Sequence, residues 1–419
     1  MFKIPRIQTL DSFVHRNYRF IWSANFCANT AQWLQLLTLG WLVKELTEGS
    51  GNSALLIVGV IGVVSLPGIF VAPLGGVLGD KLNRRHVVMV LASVMCVSAF
   101  SFAWIYELGY MTIWHVYAYA FLAGTCESIA MPIRQALISN TVPREYLSNA
   151  FTTSVLTFPM TRMVGPFIGG ILASNVGFFW NFNLEAFLYM SLLILIMLMA
   201  TPFTSHNAEE HMYSDFSVKV FFVDLIDGFK YLFNQQRVLF KIMILSLTPN
   251  VITFPLLFLL PVFTSEILKE GPDWGGYLLS INGFGGMVSI LGFSAFGFPD
   301  KRGLLCIVSA LLTGVLTLFF GLINWLPLAF LLIVLFGTAV STFRTANGVL
   351  IQTLVDDRYR VRAHSFYRFI MSFVVISSFI IGRLIDVTSL QLVLVGMGVL
   401  SIIMSVCYLI FSSSVRNQP

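Results

Sequence analysis

Residues 54–106 read ALLIVGVIGVVSLPGIFVAPLGGVLGDKLNRRHVVMVLASVMCVSAFSFAWIY. Two apolar runs, 54–79 and 86–106, flank a short break holding Asp80, Lys81, Arg84 and Arg85. Each run is at least about 20 residues long, enough for an α-helix to cross the hydrocarbon core of a bilayer. A soluble surface helix of that length would show a polar face, and these runs have none. The pair reads as two membrane spans joined by a basic loop.

The same reading extends along the chain. Apolar runs at 18–43, 54–79, 86–106, 113–138, 148–174, 179–202, 237–263, 273–297, 303–323, 327–354, 363–386 and 390–412 give twelve spans. Composition agrees: 57% of the 419 residues are apolar and only 11% are charged, against about 25% charged in a soluble domain. Twelve spans require about 240 apolar residues, which leaves little for a separate soluble domain. The start, MFKIPRIQTLDSFVHRNYR, is polar and has no small-residue cleavage site, so the first span is expected to direct its own insertion. Cys27, Cys96, Cys126, Cys306 and Cys407 have no paired spacing. A disulfide framework, a metal site and a cofactor are therefore not expected. No nucleophile–base set or phosphate-binding loop stands out, which argues against an enzyme and against ATP drive within the chain.

The basic residues orient the spans. Of 25 Lys and Arg, 19 fall in breaks on one side, Lys44 and Lys269 fall on the other, and Arg134, Arg162, Arg344 and Arg383 lie inside spans. By the positive-inside rule both termini are cytoplasmic. The net charge of +5 thus reflects topology and not a nucleic-acid partner. The longest polar stretch, 203–236, contains VKVFFVDLIDGFKYLF, an amphipathic pattern expected to lie on the membrane surface. It divides the chain into an N-terminal six-helix bundle (1–202) and a C-terminal one (237–419). At an offset of 213, Pro143-Arg144-Glu145-Tyr146 with Ala150 aligns with Asp356-Asp357-Arg358-Tyr359 with Ala363, and Gly169 with Gly382. Internal duplication of this kind builds secondary transporters with a site between the halves.

Gly76-Val-Leu-Gly-Asp80-Lys81-Leu-Asn83-Arg84-Arg85 resembles the G-x-x-x-D-[RK]-x-G-[RK]-[RK] loop of the major facilitator superfamily. Asn83 replaces the last Gly, and Asn tolerates the left-handed backbone that a tight turn uses. Arg162-Met-Val-Gly165-Pro166-Phe-Ile-Gly169-Gly170 resembles the GP-x-x-GG core of that superfamily's antiporter motif, with Thr161 at an upstream position where the longer motif has Gly. Pro132-Ile-Arg134-Gln135, Val142 to Ala150 and Leu259 to Gly285 are similar to the branch that includes enterobactin exporters and macrolide or multidrug efflux proteins. The resemblance implies an all-α membrane protein: twelve transmembrane helices in two pseudo-symmetric six-helix bundles, in a bacterial inner membrane. It makes Gly76, Asp80, Arg84, Arg134, Gly165, Pro166 and Gly169 conformational or gating residues. Ala130 and Gln32 stand where many relatives carry acids, which removes the carboxyls of a standard proton-coupling scheme.

Ionisable groups at membrane depth are functional candidates by default. Glu127, in the middle of the fourth span, is the candidate proton carrier; a fixed bridge to Arg134, two turns away on the same face, is its alternative. Arg134 is expected to reach Asp80 or cytoplasmic helix ends. Arg162, about 21 Å along the fifth span, would bind an anionic substrate or pair with Glu127, and Arg344 is its counterpart in the second half. Glu185 reads as an outer gate or a wet surface group, and Arg383 with Asp386 as an i,i+3 ion pair. Asn25, Asn29 and Gln32 share one face of the first span, beside Trp33, and that stripe should line a cavity.

These residues suggest a monomeric secondary transporter, in contact with membrane lipids, that exports a small amphipathic anion by proton antiport. A lysophospholipid flippase or another permease is the nearer alternative; uptake and a non-transporting receptor are others. Orientation is the part most directly checked. In a cysteine-free background, single cysteines at Gly51 and Gly271 should react with an impermeant thiol reagent from outside. Cysteines at Asn83, Asn207 and Asp357 should not, and reversed labelling would overturn the orientation.

Overall fold

Inside a bilayer no water satisfies backbone N–H and C=O groups, so an apolar run must bond internally, as a helix. The computed structural model, which describes residues 8–48, 51–71, 82–200, 229–355 and 366–418, is helical at every expected span. The helices are α1 (Arg16–Leu46), α2 (Ser53–Phe70), α3 (Arg84–Glu107), α4 (Ile113–Ser139), α5 (Leu147–Asn175) and α6 (Phe178–Leu198). The second half holds α7 (opening with Arg237–Leu245), α8 (Pro272–Phe296), α9 (Arg302–Leu322), α10 (Leu326–Leu354), α11 (Val374–Val387) and α12 (Leu390–Phe411). Among the described residues eleven of these segments are long and apolar enough to cross a membrane. The exception, α1, has 31 residues but carries Asn25, Asn29, Gln32 and Gln35 along its middle.

Among the described residues the seventh span is the most irregular element. After Leu245 it passes through a π-helical turn (Thr248–Ile252), a 3-10 turn (Phe254–Phe258), one short α turn (Leu260–Val262) and a second π turn (Phe263–Ile267). Pro249, Pro255 and Pro261 recur every six residues. Each lacks an amide donor and clashes with the carbonyl four residues back, so no regular ladder survives.

The halves meet along two helix pairs, α5 with α8 and α2 with α11. Advancing each helix by six positions exchanges the two pairs, as a two-fold relation requires. Both crossings are backbone-close. A Cβ on Gly170 would lie 2.9 Å from the Cα of Gly276, and one on Gly382 would lie 2.7 Å from the Cα of Leu55. Small residues permit such contact, which replaces the hydrophobic drive that lipid cannot supply. Gly170 is therefore the working counterpart of Gly382, one residue beyond the Gly169 implied by the repeat offset.

Two local expectations are corrected. Asn83 has an extended backbone (φ −63°, ψ 109°) and caps α3, its Oδ1 accepting from the Arg85 and His86 amides at 3.0 and 3.4 Å. An N-cap uses that side-chain acceptor, whereas a left-handed turn would not. Arg85 donates to the Ile196 and Met197 carbonyls at the C-terminus of α6 and ties the loop end to the bundle; Arg84 opens α3. Gly76 and Asp80 lie outside the described residues, as does most of the 203–236 stretch. Its described end, 229–234, is helical and packs Phe229 and Phe233 against Phe240 and Phe366.

Arg383 and Asp386 do not form the expected pair; each turns to the other half. Asp386 accepts from the Ala54 and Leu55 amides at 3.0 and 3.1 Å, and Arg383 donates to Asn52 at 3.2 Å. The orphan amides at the start of α2 offer a carboxylate two donors and a favourable dipole, which a neighbouring arginine on an exposed helix face does not match. Lys44 of α1 meets Ser265 and, at 3.5 Å, Glu266 at the same end. At the opposite end, near Arg16, Arg84 and Arg302, the halves part around a cavity lined by Val155 on α5, Ile290 on α8 and Val349 on α10. Asp386→Ala should remove a cap worth about 1 kcal/mol, a roughly fivefold change in population. A cysteine at Ile61, at the closed end of the central cavity, should then react roughly fivefold faster with an impermeant reagent from that side; an unchanged rate would remove Asp386 from the closure.

Candidate functional site

The parted halves enclose a central cavity of about 750 Å³. Asn25, Asn29, Gln32, Trp33, Glu127, Arg134, Arg162 and Arg344 all line it. They come from α1, α4 and α5 of the first half and α10 of the second. The polar stripe of α1 thus faces the cavity and not lipid. Among the described residues three arginines share this wall with one carboxylate, Glu127.

Two of the arginines are held in different ways. Arg134 is 3% exposed and meets Glu127 through two bonds, Nη2 to Oε1 at 2.8 Å and Nη1 to Oε2 at 3.2 Å, with Asn29 at 3.5 Å. Its carboxylate partner among the described residues is therefore Glu127, the fixed bridge that the sequence offered as an alternative; Asp80, its other expected partner, lies outside the described residues. The reason is the seven-residue spacing, which stacks the two on one helix face and gives planar guanidinium a matching fork. In this conformation Glu127 is an ion-pair partner and not an isolated acid.

Arg162 is 4% exposed yet makes no ion pair with Glu127. Its guanidinium lies over Trp33 at 4.9 Å and over Phe254 at 5.8 Å from the ring centroids. Its Nε and Nη2 have no hydrogen-bond partner. Arg344 lies over the same Phe254 ring at 4.6 Å, and its Nε donates to Asn250 at 2.6 Å. One aromatic ring on the broken α7 thus carries two cations, one from each half. Ring quadrupoles attract cations, but this attraction of about 2 kcal/mol does not satisfy buried N–H donors. Phe254 and Asn250 were not singled out in the sequence; the proline repeat around them marked the place where a span would open its backbone.

The glycines of the α5 motif explain how Arg162 is positioned. A Cβ on Gly165 would lie 2.7 Å from the Thr30 carbonyl and 3.0 Å from Trp33 Cβ, so α5 presses directly on α1. The Pro166 carbonyl and Gly170 face Gly276 of α8. Gly169 accepts from Asn181 through its carbonyl at 3.0 Å. Arg162 sits one turn before this crossing. Nearer the open end, Tyr18 donates to the Ala150 carbonyl at 2.8 Å and Ser12 to Asn149 at 2.6 Å, joining the start of the chain to the start of α5.

Glu185 is neither wet nor peripheral. It is fully buried within the first half, beneath the Tyr119 hydroxyl, which donates to Oε1 at 2.6 Å. The α6 register turns it inward against α1, α3 and α4, where the sequence indicated only nearness to a helix end.

A family profile described as transmembrane secretion effector, of the major facilitator type, matches residues 7–417. The chain belongs to the major facilitator superfamily. The staphyloferrin A transporter of Staphylococcus aureus is 21% identical over 398 residues, covering 93% of this chain and 95% of that one. The multi-drug resistance efflux pump PmrA of Streptococcus pneumoniae is 24% identical over 291 residues, covering 68% and 67%. A POT family transporter solved in complex with 5-aminolevulinic acid superposes with a TM-score of 0.76 at 11% identity, covering 96% and 97%. That likeness shows the fold, and the major facilitator fold is the two-bundle arrangement described above.

The Glu127–Arg134 pair generates a stability prediction. Glu127→Gln leaves a nearly buried guanidinium without its counter-charge and should cost about 2 kcal/mol, below the range for fully dry pairs because Glu127 borders the cavity. In thermal melts of the protein in lipid nanodiscs, the double variant Glu127→Gln/Arg134→Met should recover more than half of that loss. Additive losses would mean the two do not act as a unit.

Proposed function

We propose that this transporter exports a small amphipathic anion, a carboxylate- or catecholate-bearing siderophore-like metabolite or drug, from the cytoplasm by proton antiport with alternating access. The observation that carries the reading is the pair of guanidiniums on Phe254, with two Arg162 donors unsatisfied inside the cavity. An uncompensated buried cation is costly, and a visiting anion would supply the missing acceptors. The planar fork of Arg suits paired oxygens, and Trp33 and Phe254 offer apolar faces to the rest of such a ligand. One guanidinium comes from each half, so a bound anion would draw the halves together, which is what a rocking carrier requires. With the positive-inside orientation in a bacterial inner membrane, the open end faces the cytoplasm, where an exporter loads. The staphyloferrin and multidrug relatives support this class of substrate at low identity.

The test compares metabolites secreted by a deletion strain and its parent in iron-poor and iron-rich media. An acidic metabolite should be depleted from the deletion strain's medium. Complementation with Arg162→Ala or Arg344→Ala should restore less than about a tenth of it, since each loses a charge-assisted contact of about 1.5–3 kcal/mol. Secretion of an acidic compound at parental levels by both variants, or loss of only neutral or cationic compounds, would overturn the reading.

A further inference from the structure

Behind the cavity wall lies a second polar centre that the anion site does not use. Glu185 sits seven residues into α6, about 10 Å along the helix, and has no exposed surface. Its Oε1 accepts from Tyr119, and its Oε2 has no hydrogen-bond partner. Among the described residues no Lys or Arg pairs with it. The polar and titratable groups around it come from every helix that packs there. The α4 helix brings Tyr119, and α6 brings Tyr189, which in turn neighbours Cys126 and the Glu127–Arg134 ion pair of α4. The α3 helix packs Phe102 against Tyr119 and has Cys96 as its buried titratable group. The α1 helix offers neutral Gln35 and Thr38. A lone carboxylate in such surroundings would lack both a counter-charge and solvent, so this conformation favours the neutral acid.

One side chain connects this centre to the cavity wall. Gln35 lies on the cavity wall and also beside the Tyr119 hydroxyl, and its amide nitrogen has no hydrogen-bond partner. Gln35, Tyr119 and Glu185 form a file from cavity to core across α1, α4 and α6. The same α1 helix carries Trp33 under Arg162 and is pressed by Gly165 of α5. A movement of α1 against α4 would part Gln35 from Tyr119 and open the file.

We infer that Glu185 is the proton-binding site of this transporter, protonated in the present conformation and able to ionise only in conformations that part Gln35 from Tyr119 and admit water from one side of the membrane or the other. The inference deepens the proton-driven reading above and rests on it. In one turnover Glu185 takes one proton from water on one side of the membrane and releases it to water on the other; no covalent bond to the transported anion forms or breaks. The sign follows from linkage. Protonation favours the present conformation, so acid stabilises it and alkali depletes it, by at most tenfold per pH unit for one proton.

The test needs no substrate, so its failure leaves the anion site standing. Spin labels at Val155 on α5 and Val288 on α8 report the separation of the halves at the open end, in full-length protein in nanodiscs. The separated population should fall as pH rises. Glu185→Gln, a permanent mimic of the neutral acid, should hold the separated state at every pH. Tyr119→Phe, which keeps the ring and removes the donor, should shift the midpoint and provides a readout if Glu185→Gln does not fold. A wild-type protein indifferent to pH would overturn the inference. So would a response that survives in Glu185→Gln, or one lost in Glu127→Gln instead.

Discussion

Two backbone-close crossings, Gly170 on Gly276 and Gly382 on Leu55, hold the two halves against each other. Lipid tails are as apolar as the helix surfaces, so hydrophobic burial does not bind one membrane helix to another. Contact must come from dense packing, and dense packing needs residues without side chains at the crossing. These contacts lie toward the end of α5–α8 and α2–α11 at which Lys44 and Asp386 cross between the halves, and the central cavity lies beyond them. The cavity, its opening and the position of Arg162 one turn from Gly165 all follow from where those glycines fall.

The interior polar groups divide into three kinds by how their charge is handled. Arg134 and Glu127 compensate each other on one helix. Arg162 and Arg344 are spread over one ring, with Asn250 as the hydrogen-bond acceptor of Arg344 among the described residues. Glu185 has a hydroxyl donor and no cation. A bilayer enforces this sorting, because an ionisable group without a partner is tolerated there only where it faces water, a ligand or a change of protonation. The first kind keeps the fold together, and the other two are where binding can do work.

The broken α7 connects these features. A regular helix would present one fixed face to the cavity. Three prolines instead loosen the ladder between Thr248 and Ile267, and the loosened stretch presents Phe254 to both arginines and Asn250 to one. Irregular backbone at membrane depth is stable only inside protein or along a cavity, and α7 occupies such a place.

The sequence by itself determined the twelve spans, the duplication of the halves and the face of α1 that lines the cavity. These depend on length, apolar runs and helical period, which are local and which the bilayer makes decisive. It also brought forward Arg162, Arg344, Glu127 and Arg134, because charge within an apolar run is conspicuous. What it left open was partnership. Asp386 caps α2 from 331 residues away, Arg162 stacks on Trp33 and Phe254 and does not pair with Glu127, and Glu185 is buried. Each outcome depends on how helices rotate and cross, which residue spacing does not specify. Only the tertiary structure decided them, because a hydrogen bond or an ion pair is a matter of a few tenths of an ångström between segments whose separation along the chain carries no such information.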